Sequence, residues 1–190
     1  MNKYQIIYAD PAWSYKDKAN SGKRGACHKY KLMDNDDIIN LPVYNIAAKN
    51  SICFMWCTMP HLNIGINAMY KWGFEYKTVA FIWIKKNRVS KTNFFGMGRW
   101  TRSNSEVILL GVRGKIKRLD ASISQIIEAP ILKPHSRKPA IVRDKIIQLV
   151  GDLKRVELFA TENVSGWDCI GYDANGQDVR DFLKNNKGVD

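Results

Sequence analysis

Ile7-Tyr8-Ala9-Asp10-Pro11-Ala12-Trp13 decides how this chain is read. The apolar run from Ile6 to Ala9 ends abruptly in a carboxylate, as a buried strand does where it leaves an α/β sheet. Pro11 then fixes the chain direction through its ring-locked φ. A small Ala12 follows, and Trp13 adds a flat apolar face. A carboxylate, a rigidly held main-chain carbonyl and an aromatic plane thus arrive at one spot. The plainer alternative is an Asp-Pro turn with Trp13 in the core, and these few residues alone do not separate the two.

Such a trio suits a planar heterocycle bearing an amino group. The exocyclic nitrogen of adenine shares its lone pair with the ring and is a poor nucleophile. An acceptor on each N–H helps it pyramidalise and offsets the positive charge that grows as it takes up an electrophile. Asp10 supplies one acceptor, the Pro11 carbonyl the other, and Trp13 fixes the plane of the base.

The chain has 190 residues, 45% of them hydrophobic, enough for one domain with a sizeable core. Strand-like runs cover 4–9, 51–58, 77–85, 106–112 and 155–160, with a short one at 126–129. Helical patterns cover 34–40 and 60–72, the latter closed by Gly73. A third helix is expected to be N-capped by Ser136, with Pro139 in its first turn, and to run to Val150. Residues 14–31 and 86–102 read as polar, basic loops, and those after Asp173 as polar with a loose terminal helix. This alternation implies an α/β fold: a mostly parallel sheet with helices on both faces and ligands at the carboxyl ends of its strands. Asp10 and residues 161–163 fall there together.

Net charge is +12, and the excess is local. Residues 85–118 carry ten Lys or Arg against the single acid Glu106, and residues 16–31 carry six against Asp17. Tyr15, Tyr30, Phe94, Phe95 and Trp100 interleave with them. Cations neutralise phosphates while rings stack on bases, so nucleic acid is the expected partner rather than a merely solvated surface. The four cysteines form no Cys-x-x-Cys pair and the three histidines lack ligand spacing, so no metal is expected. Cys53 and Cys57, four apart in a strand, share one face. No apolar run reaches the ~20 residues of a membrane span, and the N-terminus enters the first strand directly, so a cytoplasmic protein is expected.

The motif resembles the Asp-Pro-Pro-Trp signature of S-adenosylmethionine (AdoMet)-dependent amino-methyltransferases. More narrowly, the chain resembles the family of the catalytic subunit of eukaryotic mRNA adenosine methyltransferase, which has short bacterial and phage members. Beyond residues 7–13, the matching segments are His28-Lys29-Tyr30 with Met33, Trp72-Gly73-Phe74, 77–85, Phe95-Gly96-Met97-Gly98-Arg99-Trp100-Thr101-Arg102, 105–115, His135-Ser136-Arg137-Lys138-Pro139 and 154–167. They keep the family order over about residues 4–172. Ala12 stands where the family has its second proline, and Thr161 where many members have Arg.

The resemblance implies a single Rossmann-like methyltransferase domain over 1–172, with the cofactor strand near the C-terminus in permuted order, and a polar tail over 173–190. It implies catalytic roles for Asp10, Pro11, Ala12 and Trp13. AdoMet would be held by Asp10, Lys138 (on the methionyl carboxylate), Glu157 and Asn163 (on the ribose or nearby polar edges) and Phe159. The target nucleoside would be met by Tyr15, His28, Tyr30, Arg99, Arg102 and Glu106. Plainer roles stay open beside these: a surface strand position for Glu157, a helix-start charge for Lys138, and an ion pair with Arg99 or Arg102 for Glu106. The expected activity is methyl transfer to adenine in DNA, with adenosine in RNA and a catalytically silent nucleic-acid-binding homologue as alternatives. The oligomeric state stays open, a homodimer included.

Overall fold

The computed structural model describes residues 3–14, 33–98, 100–132 and 137–186. Its frame is a seven-stranded sheet in the order β5-β3-β4-β2-β1-β6-β7. The strands are β1 (Tyr4–Ala9), β2 (Ala47–Cys57), β3 (Glu75–Lys86), β4 (Ser105–Arg113), β5 (Ile126–Pro130), β6 (Arg155–Leu158) and β7 (Asp168–Ile170). β1 lies between β2 and β6 and runs parallel to both, with Tyr8 opposite Phe54 on one side and Glu157 on the other. β4 alone is reversed, antiparallel to β2 and β3. The reversal brings Glu106, at the start of β4, to the edge where the parallel strands end.

Strand side chains alternate between faces, and here both faces are buried. Ile7 and Ala9 of β1 join Cys53, Met55 and Cys57 of β2 in one core, beneath α1 (Asn35–Ile39), α2 (Leu62–Lys71) and α5 (Val179–Asn185). Ile6, Tyr8, Phe54 and Trp56 face the opposite core, closed by Val142, Ile146 and Val150 of α3 (Ile141–Val150). This is the three-layer arrangement expected from the alternating pattern, and Cys53 and Cys57 do share a face. Among the described residues no helix is long and apolar enough to cross a membrane.

Two departures bear on the site. The helix expected from Ser136 begins at Ile141, with Ala140 at its N-cap and no side-chain cap; Ser136 itself lies outside the described residues. A proline disfavours helical backbone in the residue before it, so Lys138 stays on a non-helical approach to the helix. Second, the terminal helix expected to be loose packs onto the sheet over the described residues up to 186. The chain forms α4 (Tyr172–Asn175) and then α5, N-capped by the Asp178 carboxylate, which accepts from the Arg180 N–H at 2.7 Å. Val179, Phe182 and Leu183 are buried in the first core.

β6 and β7 come together tightly where they end. The Ala160 N–H donates to the Ile170 carbonyl at 3.0 Å, and a Cβ on Gly171 would overlap the Ala160 main chain, sitting 2.7 Å from its nitrogen and closer still to its oxygen. Backbone cannot yield as a side-chain tip can. Gly171→Ala is therefore expected to lower stability by about 1–3 kcal/mol, read as a shift in the urea midpoint at unchanged slope. An unchanged midpoint would show that the strand ends splay freely.

Candidate active site

A cavity of about 280 Å³ opens at the carboxyl ends of β1, β2, β6 and β7. Its wall contains Asp10, Pro11, Ala12, Trp13, Glu106, Lys138 and Phe159, so the topology does gather motifs more than a hundred residues apart. Met33, Trp56, Thr161, Gly171, Tyr172, Asp173, Gln177 and Arg180 complete much of the lining.

Asp10 follows β1 directly. Its Oδ2 lies 3.0 Å from the Lys138 Nζ, which also reaches Glu106 Oε2 at 3.2 Å. Glu106 Oε1 takes a second cation, Lys85 Nζ, at 2.6 Å. The Lys138 ammonium also sits 5.2 Å from the centre of the Trp56 ring, within cation–π range. Two carboxylates thus share one lysine, and a second lysine backs the outer acid. The consequences differ for each group. Burial pushes the Asp10 carboxyl up to about 6, partly opposed by Lys138 and reinforced by the Glu106 charge. Burial also works against the Glu106 charge, but Lys138 and Lys85 together outweigh it and hold that group below its usual range. Lys138 loses solvation yet is kept protonated by the two acids.

Trp13, only 8% exposed, is at once a core residue and part of the cavity wall. Its indole N–H donates to the Trp56 carbonyl at 3.0 Å, and its ring stacks on His61 at 5.8 Å between centroids and 20° between planes. The Trp13 main-chain N–H donates to the Pro11 carbonyl at 2.9 Å, a tight turn that leaves that oxygen's second lone pair for another donor. His61 is held in turn: Nδ1 is 2.9 Å from the Thr58 hydroxyl, and Nε2 is 3.1 Å from the Ser14 carbonyl. Sequence reasoning missed this buttress, because His61 follows a strand end without ligand spacing.

Phe159 has φ of +63°, a left-handed conformation that an aromatic residue rarely adopts. The chain turns there as it leaves β6 at the cavity wall. Glu157 has a different setting from the one expected. It is buried rather than on the surface, and it lines not this cavity but a smaller hollow beside it, together with Asp10, Lys138, Phe159 and Thr161. Val156 and Leu158 face the first core, so Glu157 points the other way, where Arg143 of α3 grips it with two hydrogen bonds of 2.7 and 2.8 Å. Asn163 is also outside the cavity wall, and its amide donates to the Ala174 carbonyl at 2.7 Å. Glu106 pairs with Lys85 and Lys138, and Arg102 is exposed on the segment joining β3 to β4. Tyr15, His28, Tyr30 and Arg99 lie outside the described residues. Among the described residues no cluster of three or more His, Cys, Asp or Glu could hold a metal.

Comparison with known proteins agrees with this arrangement. The MT-A70 family profile matches residues 4–173. The chain is 35% identical over 187 residues to the Type II methyltransferase M.MunI from Mycoplasma sp, covering 89% of this chain and 77% of that protein. It is 23% identical over 179 residues to the N(6)-adenosine-methyltransferase MT-A70-like protein of Drosophila melanogaster, covering 93% of this chain but only 28% of the fly protein. A shorter match, 33% over 86 residues, reaches the N(6)-adenosine-methyltransferase non-catalytic subunit METTL14 of the same fly, covering 44% of this chain and 21% of that subunit. With the profile spanning the whole sheet and Asp10, Lys138 and Phe159 meeting at one cavity, the chain belongs to the MT-A70 family of methyltransferases.

Proposed function

We propose that this protein transfers a methyl group from AdoMet to the exocyclic amine of adenine in DNA. The observation that carries the reading is the position of Asp10: a carboxylate at a strand end, on the wall of a ligand-sized cavity, with Pro11 and Trp13 beside it. The residues present fit the cofactor. Lys138 has one proton beyond those directed at Asp10 and Glu106 and can meet the methionyl carboxylate; Met33, Phe159 and Val179 offer apolar walls; Asp173 and Gln177 offer polar groups for a ribose. When bound, AdoMet supplies an electrophilic methyl on a sulfonium whose leaving group is a neutral thioether.

The chain's own residues do the rest. Asp10 accepts one N–H of the target amine and the Pro11 carbonyl accepts the other, which localises the lone pair on nitrogen. Trp13, locked by His61 and the Trp56 carbonyl, sets the plane in which the base is held. Once the methyl has moved, the nitrogen must lose a proton. Asp10, lifted to about 6, takes it more readily than an ordinary aspartate. Coverage of most of a Type II methyltransferase, against a minor part of the fly adenosine-methyltransferase-like protein, favours DNA over RNA.

Incubation with methyl-labelled AdoMet and either unmethylated genomic DNA or total RNA tests this. Label is expected in DNA, as N6-methyladenine after digestion to nucleosides. Label in RNA alone would move the assignment to adenosine, and label in neither would leave a silent nucleic-acid-binding homologue.

A further inference from the structure

The described residues between β3 and β4, all but Arg99, form an arm with defined structure and an unusual surface. At its base, the Lys85 N–H donates to the Asn104 carbonyl at 2.9 Å and the Phe94 N–H to the Lys85 carbonyl at 2.8 Å. Further out, the Asn87 N–H donates to Thr92 at 2.8 Å and the Gly96 N–H to Ser103 at 3.1 Å. Near the tip, a Cβ on Gly96 or Gly98 would overlap the carbonyl oxygens of Ser103 or Thr101, so the two sides of the arm are in close backbone contact. This held framework points its largest apolar side chains outward. Trp100 is 95% exposed and Met97 94%, with Phe95 and Val89 also exposed.

Several large apolar groups left in water on one structured projection mark an interaction surface rather than scattered exposure. Charge says what the surface meets. Residues 87–105 contain Arg88, Lys91, Arg99 and Arg102 and no acid. Two such arms repel each other, which disfavours a second copy of this chain, while a polyanion is attracted. Position says why the arm is there. It leaves the sheet at Lys86 and returns at Ser105, on either side of the Lys85–Glu106 ion pair, and Glu106 is part of the cavity wall.

We propose that Trp100, aided by Met97, is a stacking wedge that enters a DNA duplex beside the target base and fills the gap left when that base turns into the cavity. The proposal rests on the reading of this cavity as an adenine site. A base buried in a duplex cannot reach Asp10 without leaving the stack, and unstacking must be offset by new contacts. An indole on a basic arm offers a π-face to the neighbouring base pair and cations to the phosphates.

The test uses the whole protein and two labelled duplexes of identical sequence, one fully paired and one with a single central abasic site, where the gap already exists. Fluorescence anisotropy is expected to show tighter binding to the abasic duplex. Trp100→Ala is expected to reduce that preference about tenfold while the salt dependence of binding, which reports phosphate contacts, keeps its slope. An exposed side chain carries little of the fold, so the variant's melting curve should match wild type. The wedge is overturned if the wild type shows no preference, if Trp100→Ala retains it, or if sedimentation shows a dimer that Trp100→Ala separates into monomers. Methyl transfer is measured separately on the same preparations. Absent transfer with an intact abasic preference would count against the adenine-site reading and not against the wedge.

Discussion

Replacing Asp10 by alanine is expected to reduce methyl transfer at least a hundredfold to a thousandfold, the loss seen when one aligned hydrogen-bonding group is removed from a developing charge. The fold should survive, because Lys138 keeps Glu106 as a partner at 3.2 Å. Asp10→Asn is the sharper variant, since it preserves shape and one acceptor but removes both the charge and the capacity to take a proton. On the proposed mechanism only the ionised carboxylate can offset the growing charge and take the proton, and burial pushes the Asp10 carboxyl up to about 6. The single-turnover rate should therefore rise through pH about 6 and level off above it, whereas Asp10→Asn should show a low rate without that step. The same shift has a stability consequence of opposite sense. Between the ordinary value of 3.8 and about 6, the folded protein holds a proton that the unfolded chain has lost. This group's contribution to stability is full below that window and is lost as pH climbs through it. The site is thus expected to work best where Asp10 costs the fold most. Equal turnover by wild type and Asp10→Ala would remove the mechanism.

The parts of this site that were legible in sequence were those carried by local pattern. A short apolar run stopping at Asp10 announces a strand end, and the parallel sheet then dictates which edge holds ligands. Lys138 was readable only because His135-Ser136-Arg137-Lys138-Pro139 fell in family order; nothing local shows that its ammonium lies between Asp10 and Glu106. Glu106 was visible as a lone acid in a basic stretch, but its partners were not. Lys85 and Lys138 reach it across a reversed strand and from the approach to α3, while Arg102, much closer along the chain, is exposed on the arm. The terminal helix carries a weak local signal: Val179, Phe182 and Leu183 stand at i, i+3 and i+4, the spacing of a buried face, inside a segment whose average polarity hides it. Phe95, Met97 and Trp100 show the converse. Phe95 and Trp100 read as stacking residues and Met97 gives no such signal, but only the structure shows that all three are held out into solvent.

Glu157 yields the largest expected stability effect. Glu157 and Arg143 are 6% and 7% exposed, and carboxylate and guanidinium meet through two hydrogen bonds. Tyr8 of β1, paired with Glu157 of the neighbouring β6, has its phenol pushed up first by burial and then by that carboxylate; its hydroxyl accepts from the Trp56 indole at 2.6 Å. Arg143→Ala leaves a buried anion facing this phenol, with Glu162 as a further acid at 3.5 Å from the vacated guanidinium position. Breaking one side of such a pair costs about 3–5 kcal/mol, a large share of the stability of a domain this size, and chemical denaturation should show it. Glu157→Ala should cost less, because the Arg143 guanidinium keeps Glu162 as a partner at 3.5 Å. Removing both with apolar residues of similar volume, Arg143→Met with Glu157→Leu, should recover most of the loss, because no unpaired charge then remains. The double variant also separates the two roles considered for Glu157. If the residue chiefly holds the strand to α3, the refolded double variant binds AdoMet with wild-type affinity by calorimetry. If it is a ribose ligand, stability returns but affinity does not, and the assignment made from the Arg143 geometry fails.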